Sequence, residues 1–118
     1  MSLSGSHFLA LGLLFLGELL AVGAEMIAAR SYGASQSFSP VLPVVLVMMI
    51  AGSIFLIAGY MLGYTAFRNI WIVSAISITS ILIVEPLLAY DLFQQLPTKG
   101  ALVGFVAGII GFAAALSW

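Results

Sequence analysis

The stretch "GLLFLGELLAVGAEMIAARSYG" (residues 12–33) decides how the chain is read, because it is an apolar run of membrane-spanning length with two glutamates inside it, Glu18 and Glu25. About 20 apolar helical residues cross the hydrocarbon core of a bilayer, and a carboxylate held in that core is costly. Seven residues are close to two helical turns, so both acids project from one face. Glu18 falls near the middle of the run, where its short side chain cannot reach either boundary. It must therefore be protonated, paired, or turned toward a wet cavity.

Outward from this run, the composition is uniform. Of 118 residues, 64% are hydrophobic and only 6% are charged, with three basic and four acidic side chains. The mean hydropathy is +1.28. Such a chain has too little charge to cover a water-facing surface, and it is read as an integral membrane protein embedded in lipid. The net charge of −1 leaves no basic footprint for nucleic acid. Cysteine is absent, which removes disulfides, thiolate metal sites and cysteine nucleophiles. The N-terminal "MSLSGSHF" lacks the basic residues of a signal-peptide leader, so the first apolar run is expected to be retained.

Four apolar segments predict a single four-helix transmembrane domain over residues 1–118, with helices at about 7–29, 40–66, 70–90 and 98–118. The polar stretch "RSYGASQSFS" (30–39) reads as the first loop, "FRN" (67–69) as a tight turn, and "DLFQQLPTK" (91–99) as the last connection. Pro40 and Pro43 stand where a helix start tolerates proline, and Pro97 is placed to open the last helix. No polar–apolar alternation supports a β-barrel. Arg68 lies on one side of the membrane, with Arg30 and Lys99 on the other, so charge sets almost no orientation and an antiparallel homodimer is permitted.

Within these helices a few residues are candidates for function. Glu18 is the expected proton or cation site, since one acid can hold either but not both; the alternative is a neutral Glu18 hydrogen-bonded between helices. Glu25, nearer the loop, is expected to pair with Arg30 at the boundary. Glu85 precedes Pro86, which strains a helix, and that step reads as a kink or helix end as much as a binding group. Tyr60, Tyr64 and Arg68 share a face; Tyr64, Arg68 and Trp71 suit an interfacial anchor. Tyr60 is deeper, offering a hydroxyl or ring face to a bound cation, or plain packing. Gly100, Gly104 and Gly108, with Gly111 one turn on, form a small-residue stripe for helix packing, either within the chain or against a partner; Gly59 and Gly63 repeat it more weakly. The single histidine, His7, and the scattered acids have no metal-ligand spacing, and no G-x-S-x-G, H-E-x-x-H or P-loop occurs. No metal, cofactor or enzyme activity is expected.

The second half, "YTAFRNIWIVSAISITSILIVEPLLAYDLFQQLPTKGALVGFVAGIIGFAAAL" (64–116), resembles one half of an EamA-type drug/metabolite transporter. The features that carry the resemblance are the basic turn at Arg68, the Glu85–Pro86 step, the proline before the last helix and the spaced glycines behind it. The four-helix length and the central acid of the first helix are similar to the small multidrug resistance proteins of the same superfamily. That resemblance implies an EamA/small-multidrug-resistance-like bundle in the inner membrane of a bacterium or archaeon. It further implies an antiparallel homodimer, or a pair with a related membrane chain, exchanging protons for small organic cations or metabolites through Glu18. The chain departs from the small multidrug resistance pattern in "NIWIVSAISITS" (69–80), which has the tryptophan without flanking glycines, and in the extra Glu25. Two other readings stand beside it: a non-catalytic transmembrane subunit of a larger complex, and half of a heterodimeric flippase for a lipid-linked carrier.

Overall fold

The computed structural model describes residues 4–37 and 39–117. They form four helices, α1 (Gly5–Ser35), α2 (Leu42–Phe67), α3 (Ile70–Phe93) and α4 (Lys99–Ser117). The first three are long and apolar enough to cross a membrane. At 19 residues and roughly 28 Å, α4 is apolar but shorter and falls outside that group, so three of the four expected spans have membrane-crossing length and composition. Trp118, the expected end of the fourth span, and Phe38 in the first loop lie outside the described residues.

Two boundaries differ from the sequence reading. Rather than ending near Ala29, α1 runs 31 residues to Ser35, so most of the expected loop is helix. Its serines make the extension self-sufficient: Ser35 Oγ donates to the Ser31 carbonyl at 3.0 Å, and the Ser31 and Ser35 hydroxyls both donate to the Ser37 carbonyl just beyond the end. A polar composition marks this segment as lying outside the hydrocarbon; it does not end the helix. Similarly, α3 continues through Pro86 to Phe93. Proline lacks an N–H, so the carbonyl four residues earlier, at Leu82, loses its helical donor, but the helix survives the defect.

Helix ends follow local chemistry. Asn69 caps α3 by accepting the Trp71 N–H at 3.0 Å, and Thr98 Oγ1 accepts the Ala101 N–H at 3.1 Å at the start of α4. At the start of α1, His7 Nδ1 accepts the Ser4 N–H at 3.0 Å, while its ring stands edge-on to Phe67 at 4.6 Å. The three C-terminal caps, Gln36, Arg68 and Gln94, are all left-handed non-glycine residues, and each donates its N–H to the carbonyl of a tyrosine four residues back. Tyrosine one turn from the end suits the headgroup boundary, where its ring is apolar and its hydroxyl wet.

Contacts fix the topology. Leu14 meets Gly59 and Ala10 meets Gly63, so α1 and α2 are antiparallel. Leu14 packs with Val73, and Glu18 meets Ser77, so α1 and α3 are parallel. Gly108 against Leu82, with Phe112 further along against the Val73–Ile76 cluster, makes α4 antiparallel to α3. Among the described residues α4 packs on α3 and not on α2, and the whole forms a slab only 17 Å thick across its shortest axis. The bundle is thus open at the α4 edge. In α2 the only buried residues are Gly52, Gly59 and Gly63, while Val47, Ile50, Ile54, Ile57 and Met61 point outward. That inverted pattern is what lipid demands: without a hydrophobic drive between helices, small residues let backbones approach and large apolar ones face the acyl chains.

Candidate proton and cation site

Mid-span on α1, Glu18 is 8% exposed and therefore buried between helices. Its partner is Ser77 on α3, whose Oγ donates to Glu18 Oε1 at 2.9 Å. Ser77 lies in "SAISITS" (74–80), a hydroxyl-rich interval in an otherwise apolar helix. Its neighbours Thr79 and Ser80 donate to the carbonyls four residues back in their own helix, an inert arrangement, whereas Ser77 turns across to α1. No buried side-chain oxygen among the described residues lacks a partner, although the Ser77 bond occupies only Oε1. The second oxygen, Oε2, is therefore not sealed away, and it remains free to hold a proton or meet a ligand. The pair is positioned by close packing on either side. Gly17 lies against Gly52 and Leu56 of α2, and the cluster of Leu14, Val73 and Ile76 lies one turn below.

Glu25 shares the face of Glu18, as the spacing required, and both Glu25 and Glu85 lie within electrostatic reach of it. Glu85 of α3 is thus brought toward the Glu18–Glu25 face of α1, a neighbourhood that the sequence distance between the two helices hides. Glu25 and Glu85 themselves are exposed. The expected Glu25–Arg30 pair is corrected by the extension of α1. With Arg30 inside the helix, a five-residue step turns it by about 140°, to nearly the opposite side. Tyr60 is half-buried against the Leu14–Val73–Ile76 cluster and serves there as packing.

The glycine ranking is reversed. A Cβ on Gly104 or Gly111 would meet nothing within 4 Å, and one on Gly100 would meet only Thr98 Oγ1, at 4.0 Å. Of this stripe Gly108 alone packs within the chain, on the Leu82 side chain. The close backbone approach lies instead at Gly17, Gly52 and Gly59. Among the described residues no three His, Cys, Asp or Glu side chains form a metal-sized group.

A second feature opens beside the acids. Met26, Glu85, Pro86, Tyr90, Thr98 and Phe105 help line a cleft of about 740 Å³ between the C-terminal half of α3 and the start of α4.

Comparison of the chain with protein-family models, curated proteins and solved structures finds no match. The functional reading therefore rests on the residues and their geometry.

Proposed function

We propose that the chain is a small membrane transporter that exchanges protons for small organic cations or metabolites as a dimer, with Glu18 as the shared proton and substrate site. The single observation that carries this reading is the Glu18 carboxyl itself. It is buried mid-span, held at one oxygen by a neutral hydroxyl, and has no cation beside it. An intramembrane acid with no basic partner has two low-cost states, protonated or bound to a cationic ligand, and the exclusion of one by the other is what couples them. Ser77 acts as a positioning residue: donating to Oε1, it fixes the carboxyl's rotamer and leaves Oε2 for the exchange. The open α4 edge, with Gly104 and Gly111 uncovered, supports a dimeric form, since such stripes allow close helix contact. The resemblance to small multidrug resistance proteins agrees through the same residue.

The test is transport in reconstituted vesicles with an imposed proton gradient and radiolabelled tetraethylammonium as cargo. Proton-driven movement is expected for the wild type and its loss for Glu18→Gln, which keeps the shape and the Ser77 bond but cannot ionise. Equal transport by Glu18→Gln overturns the mechanism. Purification with a stoichiometric partner of unrelated sequence, and no transport by the chain alone, favours the non-catalytic subunit instead.

A further inference from the structure

The chain's only histidine, His7, stands at the end of α1 away from the loop serines and is 8% exposed. It occupies the third position of the helix, where glutamate or glutamine ordinarily reaches back to close a capping box. Here the imidazole does so: Nδ1 accepts the Ser4 N–H at 3.0 Å and lies 2.9 Å from Ser4 Oγ. The ring also ties this turn to its neighbour, standing edge-on to Phe67, the last residue of α2, at 4.6 Å. One side chain thus closes the start of α1 and fastens it to α2.

The hydrogen bonding fixes the tautomer. A neutral imidazole has one N–H and one acceptor nitrogen, so with Nδ1 accepting, the proton is on Nε2. Nδ1 is then the only place where a second proton can add, and it is the atom that holds the cap. The Ser4 hydroxyl can turn and accept from a protonated Nδ1, but the Ser4 N–H can only donate and must let go. The surroundings oppose a charge there as well. A cation in the first turn sits at the positive end of the helix dipole. At this end of the bundle α2 supplies the titratable groups Tyr64 and Arg68, and Arg68 adds a second positive charge next to Phe67. The adjoining halves of α3 and α4 carry no titratable side chain among the described residues. The nearest acid of α1, Glu18, is eleven residues away, roughly 16 Å along the helix. No carboxylate stands ready to hold an imidazolium in place.

We propose that His7 is a pH-sensitive latch. Neutral, it closes the first turn of α1 and holds that turn against the end of α2; protonated, it lets the turn go. The hold is present while the ring is neutral and is lost as the pH falls. Histidine ordinarily changes charge between about pH 5 and 8, so the latch reads the aqueous phase at the end of the bundle that carries the α2–α3 turn. It neither uses Glu18 nor requires transport.

The absence of cysteine makes a distance measurement direct. Nitroxides at Ser6→Cys, in the first turn of α1, and Thr65→Cys, in the last turn of α2, both exposed positions, report the separation of the two helix ends in micelles. In the wild-type background the distance distribution is expected to be narrow at about pH 8 and to broaden about twofold at about pH 5, as a locally opened turn requires. His7→Gln keeps an acceptor for the Ser4 N–H and does not titrate, so it is expected to stay narrow at both. Glu18→Gln is expected to broaden as the wild type does. A wild-type distribution that ignores pH, broadening that persists in His7→Gln, or broadening lost in Glu18→Gln overturns the latch. Should His7→Gln not fold, nitrogen NMR of the lone histidine tests the latch without that substitution. The unprotonated nitrogen of the neutral ring is expected to be Nδ1, and the ring's titration and the broadening are expected to share one midpoint. An Nδ1–H tautomer, or two separate midpoints, overturns the proposal.

Discussion

The α1–α2 half and the α3–α4 half are made of the same materials, glycine and branched apolar residues, but pack in opposite ways. Between α1 and α2 the backbones nearly touch: a Cβ on Gly52 would stand 3.0 Å from the Gly17 carbonyl oxygen and 3.1 Å from the Ala21 nitrogen. Between α3 and α4 the single close glycine, Gly108, meets only the tip of Leu82, and Gly104 and Gly111 face open space. Four-residue glycine spacing states that a face is small. It does not state what lies against it, and the more regular stripe here is the emptier one.

The largest effect is expected where the approach is closest. Gly52→Val forces three carbon atoms between two backbones that cannot shift as a side chain does, and is expected to destabilise the fold by about 3 kcal/mol, the upper part of the overpacking range. Unfolding by sodium dodecyl sulfate titrated into mixed micelles measures it. A cost near zero would mean that α1 and α2 are not held at backbone contact.

Ser77→Ala acts at the polar contact between the halves. It leaves Glu18 Oε1 without its donor, and the expected loss is about 1–2 kcal/mol. A structural hydrogen bond alone would give this loss and no more. A positioning role requires that Ser77→Thr, which keeps a hydroxyl, restores proton-driven transport and that Ser77→Ala does not.

How much of this was legible beforehand depends on the scale of the feature. The spans follow from composition, since no other structure satisfies so many backbone groups in lipid. Two helix ends did not follow: "RSYGAS" is polar yet caps itself through Ser31 and Ser35, and α3 runs three residues past Tyr90 to Phe93 with Pro86 inside it. Glu18 stood out through its depth alone. Ser77 did not, because 59 residues separate the pair and a serine in an apolar helix normally bonds its own backbone. A hydroxyl-rich interval on a helix able to lie parallel to α1 was the available signal. The expected Glu25–Arg30 pair fails because the helix continues through Arg30, where the polar composition reads as loop.

On the open edge, alanine is expected to separate chain folding from assembly. Gly104→Ala and Gly111→Ala touch nothing in the chain, so each is expected to stabilise the monomer by about 0.5–1 kcal/mol through helix propensity. On the dimeric reading the same methyl groups hold the partner helix away. Self-association, followed by energy transfer between labelled chains in vesicles, is expected to weaken about tenfold, or 1.4 kcal/mol. Unchanged association would remove this face from the dimer contact and leave the stripe unexplained.

The smallest effect is expected at Gly108, and it is the sharpest discriminator between the halves. A Cβ there would stand 2.8 Å from Leu82 Cδ1 and 3.0 Å from Cδ2, distances as short as those at Gly52. The atoms differ in kind: both belong to the free end of a flexible side chain, which turns aside at a cost near 1 kcal/mol when forced off its rotamer. Alanine recovers about as much through helix propensity, so Gly108→Ala is expected to change stability by less than about 0.5 kcal/mol. The loose contact of α4, which reaches the core through Phe112, gives Leu82 room to move. A loss comparable to that of Gly52→Val would show that α3 and α4 are as tightly locked as α1 and α2. The difference between the halves would then lie in which atoms touch, and not in how firmly they hold.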